Sequence, residues 1–136
     1  MILTDTGPLI ALLDKDDAHH ADCIAAASRL PPGPLLVTWP CFTEAMYLLG
    51  EVGGYFYQDK LWQLRAAQRL VLLDLTTPEV DRMAALMEKY QDTPMDLADA
   101  SIVAVAEKRS LHRVFTLDSD FRIYRLADRT ALEIIP

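Results

Sequence analysis

Apolar and polar positions fall along this chain in two kinds of block. "MILTD" (1–5), "LLVT" (35–38), "VLLDL" (71–75), "RVFTLD" (113–118) and "ALEII" (131–135) are short and almost continuously apolar, the pattern of buried strands. Between them, apolar residues recur at helical spacing. Helices are expected over "GPLIALLD", with Pro8 placed to open it, and over "DDAHHADCIAAASRL", whose acidic start suits the positive end of a helix dipole. "WPCFTEAMYLLGEV" (39–52) starts with Pro40 in its first turn and is broken by Gly53 and Gly54. "YFYQDKLWQLRAAQRL" (55–70), "TTPEVDRMAALMEKYQ" with a cap at Thr76 or Thr77, and "TPMDLADASIVAVAEKR" (93–109) complete the set. Strands alternating with helices predict an α/β fold: a parallel sheet of four to five short strands covered on both faces.

The chain has 136 residues, the size of one domain, and shows no repeat, linker or low-complexity tract, so residues 1–136 are read as a single unit. Its formal net charge is −7, which argues against a plain basic nucleic-acid-binding surface but not against an enzyme that gathers carboxylates around a cation. The N-terminus lacks the basic and small-residue features of an export signal, and its apolar run is short and carries Asp5 and Asp14. A cytoplasmic protein without a membrane segment is expected. Cys23 and Cys41 have no partners at metal-ligand spacing and are read as buried free thiols. His19, His20 and His112 show no partner pattern and are assigned surface or capping roles.

In an open α/β sheet, ligands sit beyond the carboxyl ends of the strands. Asp5 ends the first predicted strand, Glu44 lies early in the helix after the second, and Asp118 ends the fourth, with Asp120 two residues on. Asp96 and Asp99 open the helix before the fourth strand and, three residues apart, lie on neighbouring faces roughly 60° apart. Any one of these acids has an ordinary explanation, as a turn residue or as a partner for a helix dipole. Several on one rim would repel and raise each other's pKa values, and such a cluster calls for a cation. With oxygen donors alone, Mg²⁺ or Mn²⁺ fits better than zinc.

The segments "LTDTGPLIALLD", "VTWPCFTEAMYLL", "PMDLADASIVAVAE" and "VFTLDSDFRIYR" resemble, in order and spacing, the motifs of PIN (PilT N-terminal) domain nucleases, and most closely the VapC-like ribonuclease toxins of toxin–antitoxin pairs. The resemblance covers nearly the whole chain. It implies a metal-dependent endoribonuclease with a four-acid Mg²⁺ or Mn²⁺ site made of Asp5, Glu44, Asp99 and Asp118. Thr116 would be a neighbouring hydroxyl, and Thr6, Asp96 and Asp120 supporting residues. Asp118 is preferred to Asp120 because it terminates the predicted strand directly. Gly7 departs from the Ser or Asn common there in the family, leaving Thr6 as the substitute. The implied partners are an RNA substrate, a cognate antitoxin whose C-terminal segment fills the active-site groove, and a second copy of the chain.

Lys60, Arg65, Arg69, Arg122 and Arg125 are candidates for holding RNA, or form a solvated face. Tyr55, Phe56, Tyr57 and Trp62 suit a protein interface, or pack in the core. Two other classes remain open. A phosphatase with Asp5 as nucleophile would want a second Asp where Gly7 stands. A PIN-like module could bind a partner without catalysis.

Overall fold

Residues 1–136 are described by a computed structural model. Strand β1 (Ile2–Thr4) is wholly buried and lies at the centre of a five-stranded sheet. On one side it pairs with β2 (Leu35–Thr38), which pairs with β3 (Leu70–Leu73); on the other it pairs with β4 (Arg113–Phe115), which pairs with β5 (Glu133–Ile135). Every pairing is parallel. Six helices connect the strands: α1 (Thr6–Leu13), α2 (His20–Ser28), α3 (Trp39–Gly53), α4 (Tyr55–Ala66), α5 (Thr77–Lys89) and α6 (Leu97–Arg109). None is long and apolar enough to cross a membrane.

The two-residue period of the strands divides the core between the faces. Leu3 and Val114 join the main core with Leu9, Phe42, Leu61, Leu86 and Ile102. Ile2 and Phe115 point the other way and pack with Ala11, Cys23 and Ala26. Both cysteines are buried free thiols. Helix α6 is apolar on every side, with all residues from Ala98 to Ala106 buried, as its sequence requires of a central helix.

Two cross-helix ion pairs join α5 to α6. Arg82 meets Glu107 at 2.8 Å, and the Arg109 guanidinium donates from Nε and Nη2 to the two carboxylate oxygens of buried Glu79, each at 2.9 Å. Glu79 also completes a capping box with Thr76. These bonds hold its carboxyl well below the usual range, at about 2.

Several element ends differ from the sequence expectation. Helix α2 begins at His20, because Asp14 and Asp17 accept the backbone N–H groups of Asp16 and His19 and make turns of the acidic stretch. The next residue, His20, accordingly ties α2 to α1 through Nδ1 and the Ala11 carbonyl, 2.6 Å apart. Helix α4 stops at Ala66, and Gln68 adopts a positive φ of 58° before β3. Strand β4 ends at Phe115, so residues 116–118 lie outside it.

Candidate active site

The strand order reverses at β1. The chain moves from β1 out to β2 and β3, then returns to the other side of β1 for β4 and β5. The crevice beyond the carboxyl ends of β1 and β4 is therefore the topological switch point, where ligands bind in open α/β sheets. Asp5 follows β1, and Thr116, Asp118 and Asp120 follow β4.

Asp5 is the N-cap of α1. Its Oδ1 accepts the Thr6 backbone N–H at 2.8 Å, and its Oδ2 accepts the Thr116 hydroxyl at 2.8 Å. Only 7% of Asp5 is exposed, and burial pushes its carboxyl up to about 6, with the negative charges of Asp118 and Glu44 adding to the rise. Asp99, 6% exposed, stands on the first turn of α6. Its Oδ2 accepts the hydroxyl of Tyr124 at 3.1 Å, and no protein donor covers its Oδ1. Burial raises Asp99 to about 7, and the charges of Asp96 and Asp5 contribute. Asp5 and Asp99 are thus two buried carboxylates within electrostatic reach of each other, each holding a proton more tightly than an exposed acid.

The other expected residues divide around this pair. Glu44 is exposed on α3, close enough for its charge to act on Asp5. Asp96 is the N-cap of α6: its Oδ1 accepts the Asp99 backbone N–H at 2.8 Å, and Asp99 answers with a 3.4 Å bond from the Asp96 N–H. Asp118 does not end the strand, because Thr116 turns out of β4 toward Asp5 and its Oγ1 accepts the Asp118 N–H at 3.0 Å. Asp118 instead caps a one-turn 3-10 helix, Ser119–Arg122, by accepting the Asp120 N–H. Of these two acids, Asp118 is the one whose charge acts on Asp5, whereas both act on Tyr124.

The Thr6 hydroxyl points away from the acids, to the Cys41 carbonyl at 3.4 Å, so Thr6 serves Asp5 only through its backbone N–H. The hydroxyl expected of that region comes from Thr116. A Cβ at Gly7 would meet the Leu117 side chain at 3.5 Å, an ordinary contact, so the departure at this position is not imposed by space.

Three supporting residues escaped the sequence reading. Tyr124, 2% exposed, is wedged edge-to-face against Tyr90 and Phe121, with its hydroxyl aimed at Asp99. Its position four residues after Asp120 in a loop carries no periodic signal. Thr38 and Ser101 are both fully buried with oxygens 2.6 Å apart. Because Ser101 donates to the Ala98 carbonyl at 2.7 Å, Thr38 is the donor between them, and the pair pins the end of β2 to the first turn of α6.

The basic residues separate as well. Helix α4 runs back toward the start of β3, so Arg65 and Arg69 lie near the amino ends of the strands, on the rim opposite the acids. The Lys60 ammonium sits 5.0 Å and 4.8 Å from the ring centres of Phe56 and Tyr57. Arg122 and Arg125 follow Asp118 on the acid rim, but Arg125 already donates to the carbonyls of Arg122 and Tyr124.

The chain matches the PIN domain over residues 2–126. It belongs to the PIN domain family. Ribonuclease VapC26 of Mycobacterium tuberculosis is 27% identical to this PIN domain over 121 residues, 86% of each protein. The crystal structure of Mycobacterium tuberculosis VapC20, a Sarcin-Ricin loop cleaving toxin, superposes with a TM-score of 0.85 over the whole of both chains at 19% identity. A toxin–antitoxin complex from Klebsiella pneumoniae contains a chain that superposes with a TM-score of 0.63 at 22% identity, covering 89% of this PIN domain and 90% of that chain. The sequence resemblance and the expected sheet architecture therefore stand.

The donor set suits a hard divalent cation. All four acids offer oxygen, and Asp5 and Asp99 each keep acceptor capacity that protein donors do not fill. No three His, Cys, Asp or Glu side chains converge into a preformed cage. Mg²⁺ does not require one, because it is commonly held by one or two carboxylates with water completing its octahedron.

Proposed function

We propose that this PIN domain is a Mg²⁺- or Mn²⁺-dependent endoribonuclease and the toxin of a toxin–antitoxin pair. The observation that carries the reading is the buried Asp5–Asp99 pair at the switch point, whose charges are costly to hold together without a cation. Similarity to ribonuclease VapC26 supports RNA as the substrate. The likeness to a chain in a toxin–antitoxin complex supports an antitoxin partner.

Hydrolysis of a phosphodiester adds a water oxygen to phosphorus and expels a ribose oxygen, which leaves with a proton. A bound divalent ion would lower the pKa of water and offset charge on the phosphate. Asp5 and Asp99 would hold it, with Glu44 and Asp118 flanking. Thr116 and the Thr6 N–H fix both oxygens of Asp5, and Tyr124 fixes one oxygen of Asp99, so neither carboxylate must be ordered when substrate arrives. Asp99 Oδ1, which no protein donor covers, would be the oxygen left to meet the cation or a water bound to it. Exposed Arg122, beside the acids in sequence and on the same rim, is placed to meet a phosphate.

Self-association belongs to the same reading. Tyr55 and Phe56 are 70% and 68% exposed beside exposed Val52, an apolar face suited to a second copy. Expression without an antitoxin should arrest growth and produce new RNA ends, and Asp99→Asn should relieve both. Unimpaired growth with soluble, metal-competent protein would contradict the toxin role.

A further inference from the structure

A groove of about 710 Å³ opens from the acids along the β2–β3 side of the same rim. Trp39, Pro40, Thr43 and Tyr47 line it from one stripe of α3, and Leu75 and Leu97 close it. Glu44 and Asp96 stand in its wall, so the groove continues the candidate site and is not a separate pocket. Trp39, Tyr47 and Leu97 are 44%, 66% and 54% exposed, although each is large and apolar.

Trp39 is held as a fixed surface. Its Nε1 donates to Asp74 Oδ1 at 2.9 Å, and its ring packs edge-to-face on buried Phe42 at 5.7 Å. Asp74 is itself tied down, since its carbonyl accepts Arg109 Nη2 at 2.6 Å, the same guanidinium that holds Glu79. On the backbone side, Trp39 follows Thr38, which is pinned through Ser101 to the turn that carries Asp99. The indole and the Asp99 carboxylate are therefore fixed to one local frame.

We propose that this groove is a base-stacking shelf, with Trp39 the residue that takes a base of the RNA strand flanking the scissile phosphate. The inference rests on the ribonuclease reading. A phosphodiester held at Asp5 and Asp99 has a base on each side, and the largely apolar groove adjoins that position through Glu44, whose charge reaches Asp5, and Ala98, the neighbour of Asp99. Aromatic platforms hold single-stranded bases in this way. The acids in the wall disfavour phosphate there, which leaves the base as the part of the strand that enters.

The test is binding measured in a Trp62→Phe background with Asp5 and Asp99 intact and Ca²⁺ in place of Mg²⁺ to hold cleavage off, where Trp39 is the only tryptophan left. A short oligoadenylate should quench its fluorescence. Changing Trp39→Ala should weaken oligoadenylate binding about tenfold, read by anisotropy of a labelled strand, and Trp39→Phe should restore most of it. An abasic ribose-phosphate chain of equal length should bind all three proteins alike. Equal oligoadenylate affinity for Trp39 and Trp39→Ala would overturn the shelf while leaving cleavage by the unsubstituted protein to stand. Equal losses for the abasic chain, or quenching by an apolar Arg-containing peptide but not by oligoadenylate, would also overturn it, the latter in favour of a protein partner. If the unsubstituted protein cleaves no RNA, the ribonuclease reading fails and the shelf falls with it.

Discussion

Replacing Asp99 by Asn should stabilise the metal-free protein while removing the proposed activity. In the folded chain, burial and the charges of Asp96 and Asp5 raise Asp99 to about 7, against an unfolded value near 3.9. A carboxyl whose folded pKa is raised is fully tolerated below its unfolded value, where both states are protonated. As pH rises from about 4 to about 7 the unfolded chain releases the proton first, and stability falls. A rise of about three pKa units corresponds to a cost of about 4 kcal/mol above neutrality, an upper bound because Asp5 titrates with it. For a chain of this length that is roughly 10–15 °C in Tm. Asn keeps an oxygen for the Tyr124 hydroxyl and carries no charge to bury. Thermal melts in EDTA should therefore show the variant above the unsubstituted protein at pH 8, with the gap closing toward pH 4. Adding Mn²⁺ should raise only the unsubstituted protein. Equal melting temperatures at pH 8, or a gap that widens on acidification, would show that the Asp99 charge is not buried at a cost.

Other perturbations have separate signatures. Asp96→Ala removes an N-cap and should cost about 1 kcal/mol, or roughly 3–4 °C in Tm, while substantial RNA cleavage persists; loss of cleavage with an unchanged Tm would reverse the roles given to Asp96 and Asp99. Tyr124→Phe removes the donor to Asp99 and should weaken Mn²⁺ binding about tenfold by calorimetry with the fold intact, whereas unchanged affinity would make Tyr124 a packing residue only. Glu79→Ala removes the capping-box partner of Thr76 and leaves exposed Arg109 without its carboxylate, and should cost about 1–3 kcal/mol in a urea melt. Because the folded Glu79 sits at about 2, its contribution is present above pH 4.5 and is lost as pH falls toward 2, so the deficit of the variant should shrink over that acid range.

The strands were legible because parallel strands buried on both faces read as near-continuous apolar runs, as Ile2–Leu3 and Leu35–Val37 do before each strand ends in a buried Thr. Helix and strand ends were less so. Asp16, Asp17 and Thr116 each offered a plausible continuation of a neighbouring element; local side-chain bonds turned the first two aside, and the bond from Thr116 across to Asp5 took the third. Topology carries Asp5 and the start of α6 to one rim, and the family resemblance picked Asp99 out there over Asp96. Of the two readings left open for Arg65 and Arg69, the structure favours a solvated face, because α4 leads directly into parallel β3 and so ends at the amino rim, away from the acids. Tyr124 and the Glu79–Arg109 pair were invisible, since their partners lie 25 and 30 residues away and only tertiary packing brings them together.

In the proposed reading, Asp5 and Asp99 together make a divalent-cation-dependent ribonuclease of this PIN domain. Single-turnover cleavage of single-stranded RNA by the purified chain, followed across a Mg²⁺ titration beside Asp5→Asn, tests it most directly. The rate should rise with Mg²⁺ and saturate, be absent in EDTA, and be lost in Asp5→Asn at every Mg²⁺ concentration. Cleavage that persists in EDTA, or that survives in Asp5→Asn, would contradict it.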